Sequence, residues 1–294
     1  MSQSKLKWQS KLVLLLVLPF AAAGLVLQTH WWATQSPPVA IWTIGLSLLL
    51  ALVVLKVRAA TLPGALTGAV ICASLMFSTV TFPYVPWQTG LPPLLAVSLL
   101  AWFATRIGRE KKEQLGTEEQ RHGRSATQVA ANLGLAALVS YQLTQSWLID
   151  SSWFHHRALA PMSGFGLGIA ALAEAAADTV SSEIGQFLGG RPRMITSLRS
   201  VDPGTDGAIT LAGTGAGVIA AGVVAGIGTS ALRAGLAFFW ISSSAAVFGL
   251  LFDSLLGATL ERRGLLNNDA VNFVSTASAA AFALALLAFL PGLR

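Results

Sequence analysis

The sequence predicts an all-α fold, a polytopic α-helical membrane protein with about nine transmembrane helices and a cytoplasmic N-terminus. Hydrophobic residues make up 54% of the 294 residues and charged residues only 11%, against about 25% charged in ordinary soluble domains. The apolar residues fall into nine segments, and basic residues gather in alternate connections between them. We therefore expect a multi-pass integral protein of the lipid bilayer, in the cell membrane if the chain is bacterial.

A membrane-spanning helix needs about 20 mostly apolar residues, with some latitude for tilt. Nine segments reach or approach this length, and the fourth is short enough to be re-entrant instead. The segments run over residues 12–27, 38–55, 63–82, 91–105, 126–143, 158–177, 208–227, 234–251 and 271–290.

The orientation follows from the basic residues, which are enriched in the cytoplasmic loops of membrane proteins. With the N-terminus inside, sixteen Lys and Arg residues lie on the cytoplasmic side and three outside. The sixteen are Lys5, Lys7, Lys11, Lys56, Arg58, Arg106, Arg109, Lys111, Lys112, Arg121, Arg124, Arg191, Arg193, Arg199, Arg262 and Arg263, and the three are Arg157, Arg233 and Arg294. This topology explains the net charge of +6, so we expect no nucleic-acid partner.

The first apolar segment has two interpretations. Its basic start and a run of three alanines resemble a cleaved signal peptide. An uncleaved anchor is favoured because the apolar run continues to Trp31 and Trp32, an aromatic pair typical of the membrane interface. We divide the chain into an N-terminal anchor region with two transmembrane helices, residues 1–62, and a membrane domain with polar cytoplasmic loops, residues 63–294.

Glycines four residues apart predict close contacts between helices, because small residues let helix backbones approach each other in lipid. Tight packing within one chain is the favoured interpretation, and dimerisation or space for a substrate chain is the alternative. The pairs are Gly64 and Gly68, Gly164 and Gly168, Gly213 and Gly217, and Gly222 and Gly226.

Polar residues are costly in a bilayer, and the first cluster of them ends the sixth segment. Glu174 and Asp178 are four residues apart and share one helical face. Two carboxylates at the cytoplasmic end of a helix predict a Mg²⁺ site completed by substrate phosphates. The alternative is that these acids reach the interface or pair with basic residues of the next loop.

The second cluster is the loop that follows, where Thr, Ser, Gly and Asp are interleaved with arginines over residues 191–207. Arginine forks match phosphate oxygens. A glycine-containing turn at the start of a helix offers backbone N–H groups to an anion. The positive-inside rule alone would also explain the arginines, but it does not explain the other polar residues.

The third cluster joins the eighth and ninth segments. Asp253 ends the eighth, and Asn268, Asp269 and Asn272 open the ninth. Asn268 is a candidate helix cap, but capping accounts for only one or two of these polar residues. If the clusters converge in the folded chain, Asp253 and Asp269 complete a carboxylate set with Asp178 around one or two Mg²⁺ ions.

A further basic loop, residues 106–124, mixes Lys and Arg with Glu, which favours a solvated surface for its middle. Gln128 and Asn132 follow it, one turn apart in the fifth segment. These two amides are the more informative residues, because an amide inside a membrane segment needs a hydrogen-bond partner.

These clusters carry motifs that closely resemble the integral membrane family known as domain of unknown function 92. The motifs are ADTVSSEIG at 177–185, RPRMITS at 191–197, PGTDGA at 203–208 and LNNDAVNF at 266–273. A Thr-Arg-x-Gly loop and Gln-Val-x-Ala-Asn at 128–132 add to the match, which covers most of the chain beyond about residue 60. The family includes transmembrane protein 19 and the phytyl-phosphate kinases of plants and cyanobacteria.

The resemblance implies a membrane kinase that converts an isoprenoid (phytyl or other polyprenyl) monophosphate to the diphosphate, with Mg²⁺ and a nucleoside triphosphate such as CTP. It implies that Asp178, Asp253 and Asp269 are catalytic, and that Glu183 joins these three as a metal ligand. The residues that it implies for nucleotide and phosphate binding are Arg193, Thr196, Ser197, Arg199, Gly204, Thr205, Gly207, Asn268 and Asn272.

Two other function classes stay open at this point. A transporter or flippase of a lipid or small anion would place polar groups near the bilayer midplane and on both faces. The predicted outer connections are nearly bare, but Glu174, Gln128 and Asn132 keep this alternative open. A purely structural membrane protein would leave the concentrated Asp, Asn and Arg residues without a role. The sequence leaves the oligomeric state undefined.

Overall fold

A computed structural model of the protein describes residues 6–114, 123–150, 163–188 and 190–289. In these ranges the chain is an all-α membrane protein, with a single pair of two-residue strands, β1 (Arg193–Met194) and β2 (Ala208–Ile209). The helices are α1 (Lys7–Gln35), α2 (Pro37–Lys56), α3 (Leu62–Ser78), α4 (Leu91–Arg106), α5 (Arg109–Gln114), α6 (Ala126–Ser140), α7 (Gln142–Asp150), α8 (Ser163–Leu188), α9 (Leu211–Ala231), α10 (Leu236–Leu256) and α11 (Asn268–Phe289).

Each predicted apolar segment coincides mainly with one helix of the described chain. The short helix α5 lies in a connection, and α7 begins within the last two residues of the predicted fifth segment. Five described helices, α1, α2, α9, α10 with the turn that follows it, and α11, are long and apolar enough to cross a membrane. The helices α3, α4 and α6 are apolar but shorter. Residues 158–162, at the start of the predicted sixth segment, lie outside the described residues.

Helix α8 is the centre of the bundle. All residues from 166 to 177 are buried, and the helix packs against α4, α6, α9, α10 and α11. Its sequence here is largely Gly and Ala, so neighbouring helices contact it from every side at short distance. The central helix thus carries Glu174 and Asp178 through the interior to one end of the bundle.

Helices α8 and α9 pack closely against each other. A Cβ atom added to Gly217 would lie 2.8 Å from the carbonyl oxygen of Ala177 and 2.9 Å from Cβ of Ser181. The expected packing role of the Gly213 and Gly217 pair is therefore confirmed. The same expectation is wrong for Gly222, whose Cβ position meets no atom of the described structure within 4 Å.

Four connections meet at the same end of the bundle, which we call the polar end; their described residues are 57–61, 107–114 with 123–125, 190–210 and 257–267. Contacts across the connections establish this arrangement, among them Thr61 N–H donating to Arg124 O at 3.0 Å and Arg106 Nη2 donating to Val57 O at 2.8 Å. Of the basic residues used for orientation, Lys5, Arg121, Arg157 and Arg294 lie outside the described residues.

Side-chain hydrogen bonds of Gln9 and Asn267 join helix α1 to the polar end. Gln9 Nε2 donates to Leu265 O at 2.9 Å, and its Oε1 accepts from Asn267 N–H at 2.8 Å. Farther along α1, Val17 is fully buried and packs against α6 at Gly134. The first helix is therefore packed into the bundle along two of its turns.

We expect Gly217→Ala to destabilise the protein by about 1–3 kcal/mol, because the added methyl group overfills the α8–α9 contact. Gly215→Ala is the matched control in the same helix, since its Cβ would meet no described atom within 4 Å. Removing that glycine should stabilise α9 by about 0.5–1 kcal/mol. Thermal unfolding in detergent measures both changes, and equal effects of the two variants would contradict the packing role.

Candidate functional site

The three polar clusters converge on a cavity of about 590 Å³ at the polar end. Its walls come from α6, α8, the α8–α9 connection, the end of α10 and the start of α11. The predicted site residues that line it are Asp178, Glu183, Gly204, Thr205, Gly207, Asp253, Asn268 and Asn272. Residues that are up to 94 positions apart in sequence are thus brought into one space.

Two carboxylates form the acidic part of this cavity. Asp178 of α8 and Asp253 of α10 both line it and are close enough to interact electrostatically. Oδ2 of Asp253 is buried and has no hydrogen-bond partner among the described residues. Glu174 lies one turn deeper in α8 and is only 1% exposed. Its Oε1 atom is also buried and has no hydrogen-bond partner among the described residues.

This donor set fits Mg²⁺ only if the substrates complete the coordination. Among the described residues, no three His, Cys, Asp or Glu side chains are grouped closely enough to hold a metal ion by themselves. Mg²⁺ in nucleotide sites is usually bound by one or two carboxylates together with phosphate oxygens and water. Asp178 and Asp253, with the unpartnered oxygen of Asp253, match that pattern.

Glu183 lines the cavity, but its carboxylate is paired with Lys112. The lysine is only 3% exposed and also donates to the carbonyl oxygens of Ala104 and Thr105, at 3.1 Å each. The expectation of a solvated surface is therefore wrong for Lys112. A cation is buried here because its amino group finds two carbonyl groups at the end of α4 and one carboxylate.

The loop between α8 and α9 is pressed against the end of α10. Gly204 and Gly207 have positive φ angles of 82° and 74°, a conformation that glycine adopts without steric cost. A Cβ atom on Gly257 would lie 2.8 Å from the backbone nitrogen of Gly207. Gly257 begins a π-helical turn, Gly257–Glu261, a distortion that is frequent at functional sites.

Thr205 and Asp206 of this loop also line the cavity. The Thr205 hydroxyl donates to the carbonyl oxygen of Asp202 at 2.7 Å, which closes the turn. Partial burial of its carboxyl group raises the pKa of Asp206 above its ordinary value of 3.8, and the charge of Arg262 opposes this shift.

Amide side chains join α6 to α11 beside the acidic pair. Asn272 Nδ2 donates to Asn132 Oδ1 at 3.5 Å, and Asn132 Nδ2 donates to Gln128 O at 2.9 Å. The expected cap of α11 is corrected: Asn267, not Asn268, accepts the backbone N–H of Ala270, at 2.9 Å. Asn268 is one of the residues that line the cavity.

Several expected site residues lie away from the cavity. Asp269 is buried in the first turn of α11 and does not line it. The β1–β2 pairing fixes the course of the loop after α8, and four of the expected site residues in this loop are exposed on the protein surface. These four are Arg193, Thr196, Ser197 and Arg199.

The cavity is also lined by two cations, Arg124 and Lys111, which the residue pattern did not single out. Arg124 Nη2 donates to Thr179 Oγ1 at 3.1 Å, and Lys111 Nζ donates to Phe187 O at 2.7 Å. Both belong to the mixed-charge loop before α6, where the positive-inside pattern explains every basic residue equally well. Only the folded chain distinguishes these two cations from their neighbours.

Comparison with known proteins identifies the family. The model of the integral membrane protein family DUF92 matches residues 45–280. An uncharacterized membrane protein of Methanocaldococcus jannaschii is 33% identical over 183 residues, which are 62% of this chain and 70% of that protein. Protein VTE6, chloroplastic, of Arabidopsis thaliana is 26% identical over 217 residues, 71% of this chain and 62% of that protein. No solved structure matches the chain.

We expect Lys112→Met to destabilise the protein by about 3–5 kcal/mol, because it leaves Glu183 without its buried partner. Arg109→Gln is the control, since it breaks the solvent-exposed pair with Glu113 and should cost about 1 kcal/mol or less. Unfolding in mixed detergent micelles measures both changes. If Lys112→Met lowers the free energy of unfolding no more than Arg109→Gln does, the buried pair does not contribute to stability.

We expect Asp206 to make stability fall with rising pH. Its pKa is raised in the folded protein, so folding is favoured by protonation, and this contribution is lost as the pH rises from about 3.8 through the raised pKa. Asp206→Asn should therefore lose less stability than the parent protein between about pH 4 and pH 7. Melting temperatures in detergent across this range provide the comparison, and parallel curves would refute the expectation.

Proposed function

Because the chain belongs to the DUF92 integral membrane family, we propose that it is a membrane-embedded isoprenoid monophosphate kinase. It transfers a phosphoryl group from a nucleoside triphosphate, such as CTP, with Mg²⁺ as the metal. The observation that carries the proposal is the convergence of three clusters, distant in sequence, on one polar cavity with two carboxylates. The family resemblance to phytyl-phosphate kinases supplies the substrate class.

Phosphoryl transfer depends mainly on positioning and electrostatic stabilisation. An oxygen of the acceptor phosphate forms a bond to the γ-phosphorus, and the bond from that phosphorus to the β-phosphate oxygen breaks, releasing the nucleoside diphosphate. Asp178 and Asp253 would hold Mg²⁺, and the bound ion would offset negative charge on the phosphates. Gly204, Thr205 and Gly207 form a wall without long side chains, against which phosphates can lie.

Cations and amides complete this assignment. Arg124 and Lys111 line the same cavity and offset the negative charge of the transferring group. Asn268 and Asn272 present amide groups from the first turns of α11, where the helix dipole favours anions. Outside the cavity, the exposed arginines Arg193 and Arg199, with Thr196 and Ser197, attract the incoming nucleotide. Glu183 and Asp269 shape the surroundings rather than contact the phosphates.

The topology in this proposal has the N-terminus in the cytoplasm and the nine long helices crossing the bilayer. The polar end then faces the compartment that holds nucleoside triphosphates. Fourteen of the sixteen basic residues assigned to that side are described, and all fourteen lie at or near the polar end. The division at residue 62 into an anchor region and a membrane domain stays a prediction.

A transporter or flippase is the second candidate. The observation that favours it is Glu174, a buried carboxyl below the cavity with an unpartnered oxygen among the described residues. Acidic groups inside the membrane commonly mark ion or proton pathways. Such a protein would move its substrate across proteoliposomes without consuming a nucleotide.

The test is transfer of labelled γ-phosphate from each of the four nucleoside triphosphates, with Mg²⁺, to phytyl or geranylgeranyl monophosphate by the purified protein. We expect diphosphate product with at least one donor, and a loss of about 100-fold or more in Asp178→Asn and in Asp253→Asn. Removing Mg²⁺ with a chelator should abolish transfer in the parent protein.

Asp202→Asn is the matched control. Asp202 is an exposed aspartate in the connection between α8 and α9, and it does not line the cavity. Its transfer rate should equal that of the parent protein. Folded parent protein that yields no diphosphate with any donor would contradict the kinase, and full activity in both Asp178→Asn and Asp253→Asn would contradict the site.

A further inference from the structure

A second cavity of about 440 Å³ lies between α2, α3, α4, α6 and α8. Its interior is lined mainly by small and apolar residues of these helices. This volume is within the range of about 300–1,000 Å³ that is typical of small-molecule sites. We refer to it as the crevice. Gly68, Ala69 and Ala101 are among the residues that leave the space open, because none has a side chain longer than one methyl group.

The mouth of the crevice is basic. Arg106 lies 4.2 Å above the ring of Trp102, and both residues line the crevice. The cations that line it are Arg58, Arg106, Arg109, Lys112 and Arg124. Two of them are already paired, Lys112 with Glu183, which also lines the crevice, and Arg109 with Glu113. All five belong to connections of the polar end or to the last turn of α4. A mainly apolar interior with cations at one end is complementary to an amphiphile whose head is an anion.

The crevice adjoins the polar cavity described above. Five residues line both spaces: Arg124, Asn132, Ser182, Glu183 and Gln186. A group held at the mouth of the crevice is therefore separated from the Asp178 and Asp253 cavity by no more than this shared wall. The two cavities offer different chemistry on the two sides of the wall, polar and acidic on one side, apolar and basic on the other.

We propose that the crevice binds the acceptor, an amphiphile with one long apolar chain and one phosphate head. The chain lies between α2, α3, α4 and α6, and the phosphate head lies at the basic mouth, beside the shared wall. This inference rests on the proposed kinase function, and it adds the location of the acceptor. The cations at the mouth orient the phosphate head toward the cavity that holds the nucleotide.

The test uses phytyl monophosphate with a photoreactive diazirine at the far end of the chain, irradiated with the purified protein. We expect the label on peptides of α2, α3 and α4. Gly68→Leu should reduce this labelling and raise the KM for phytyl monophosphate about tenfold, since about 1.4 kcal/mol of overpacking is tenfold in affinity. A Cβ on Gly68 is only in ordinary contact, 3.9 Å from Val129 Cγ1.

Gly45→Leu is the matched control. Gly45 is an exposed glycine of α2 that does not line the crevice, and its Cβ would meet no described atom within 4 Å. Labelling and KM should be unchanged by this substitution. Ser98→Leu is a second filling variant, because Ser98 is a half-buried residue of α4 that lines the crevice. It keeps the test decisive if Gly68→Leu does not fold.

A charge variant tests the mouth separately. Arg106→Gln should weaken binding of phytyl monophosphate about tenfold, because a charge-assisted contact with the phosphate is lost. Binding of phytol, which has the chain but no phosphate, should be unaffected. Equal weakening for both compounds would show that Arg106 supports the crevice structurally and would overturn its assignment to the phosphate head.

The outcomes for the crevice and for the kinase are distinguishable. Labelling of α2, α3 and α4 that Gly68→Leu blocks, in protein that transfers no phosphate, supports the crevice and overturns the kinase. Transfer that persists in both filling variants, with the label on α9 or α10, overturns the crevice and leaves the kinase. Labelling of the parent protein that both filling variants block, together with phosphate transfer by the parent protein, supports both the crevice and the kinase.

Discussion

The structure depends on the burial of α8 against five other helices at once. Close contact is possible because eight of the twelve residues 166–177 are Gly or Ala. Lipid provides little hydrophobic driving force for helix association. Van der Waals contact at short distance therefore has to hold the bundle together. This helix also carries Asp178, so the packing that stabilises the fold also positions the carboxylate.

The polar end balances charges that would be costly alone. Asp178 and Asp253 lie close together in the wall of the polar cavity, and Arg124 and Lys111 line the same cavity. Lys112 is satisfied separately by Glu183 and two carbonyl groups. A site that binds phosphates with a metal needs both signs of charge within reach. This arrangement provides them and leaves Oδ2 of Asp253 without a hydrogen-bond partner among the described residues.

The protein has two adjoining cavities of different polarity, an arrangement that suits a lipid substrate and a water-soluble donor. One is polar and acidic, and the other is mainly apolar with a basic mouth. The shared wall, which includes Asn132 and Glu183, is made from α6, α8 and Arg124 of the connection before α6. A water-soluble donor and an apolar acceptor can thus be brought to the same place from different sides.

The amino-acid order alone was sufficient for the all-α membrane fold and for the positions of the long helices, because apolar run length is a local property. It also identified the three polar clusters, since polar residues in apolar surroundings stand out. It did not reveal which cluster members meet. Arg193 and Arg199 fell outside the cavity and Arg124 inside it, because loop conformation and helix packing are set by contacts between residues far apart in the chain. The same contacts bury Lys112 and open the crevice, and no sequence period encodes either feature.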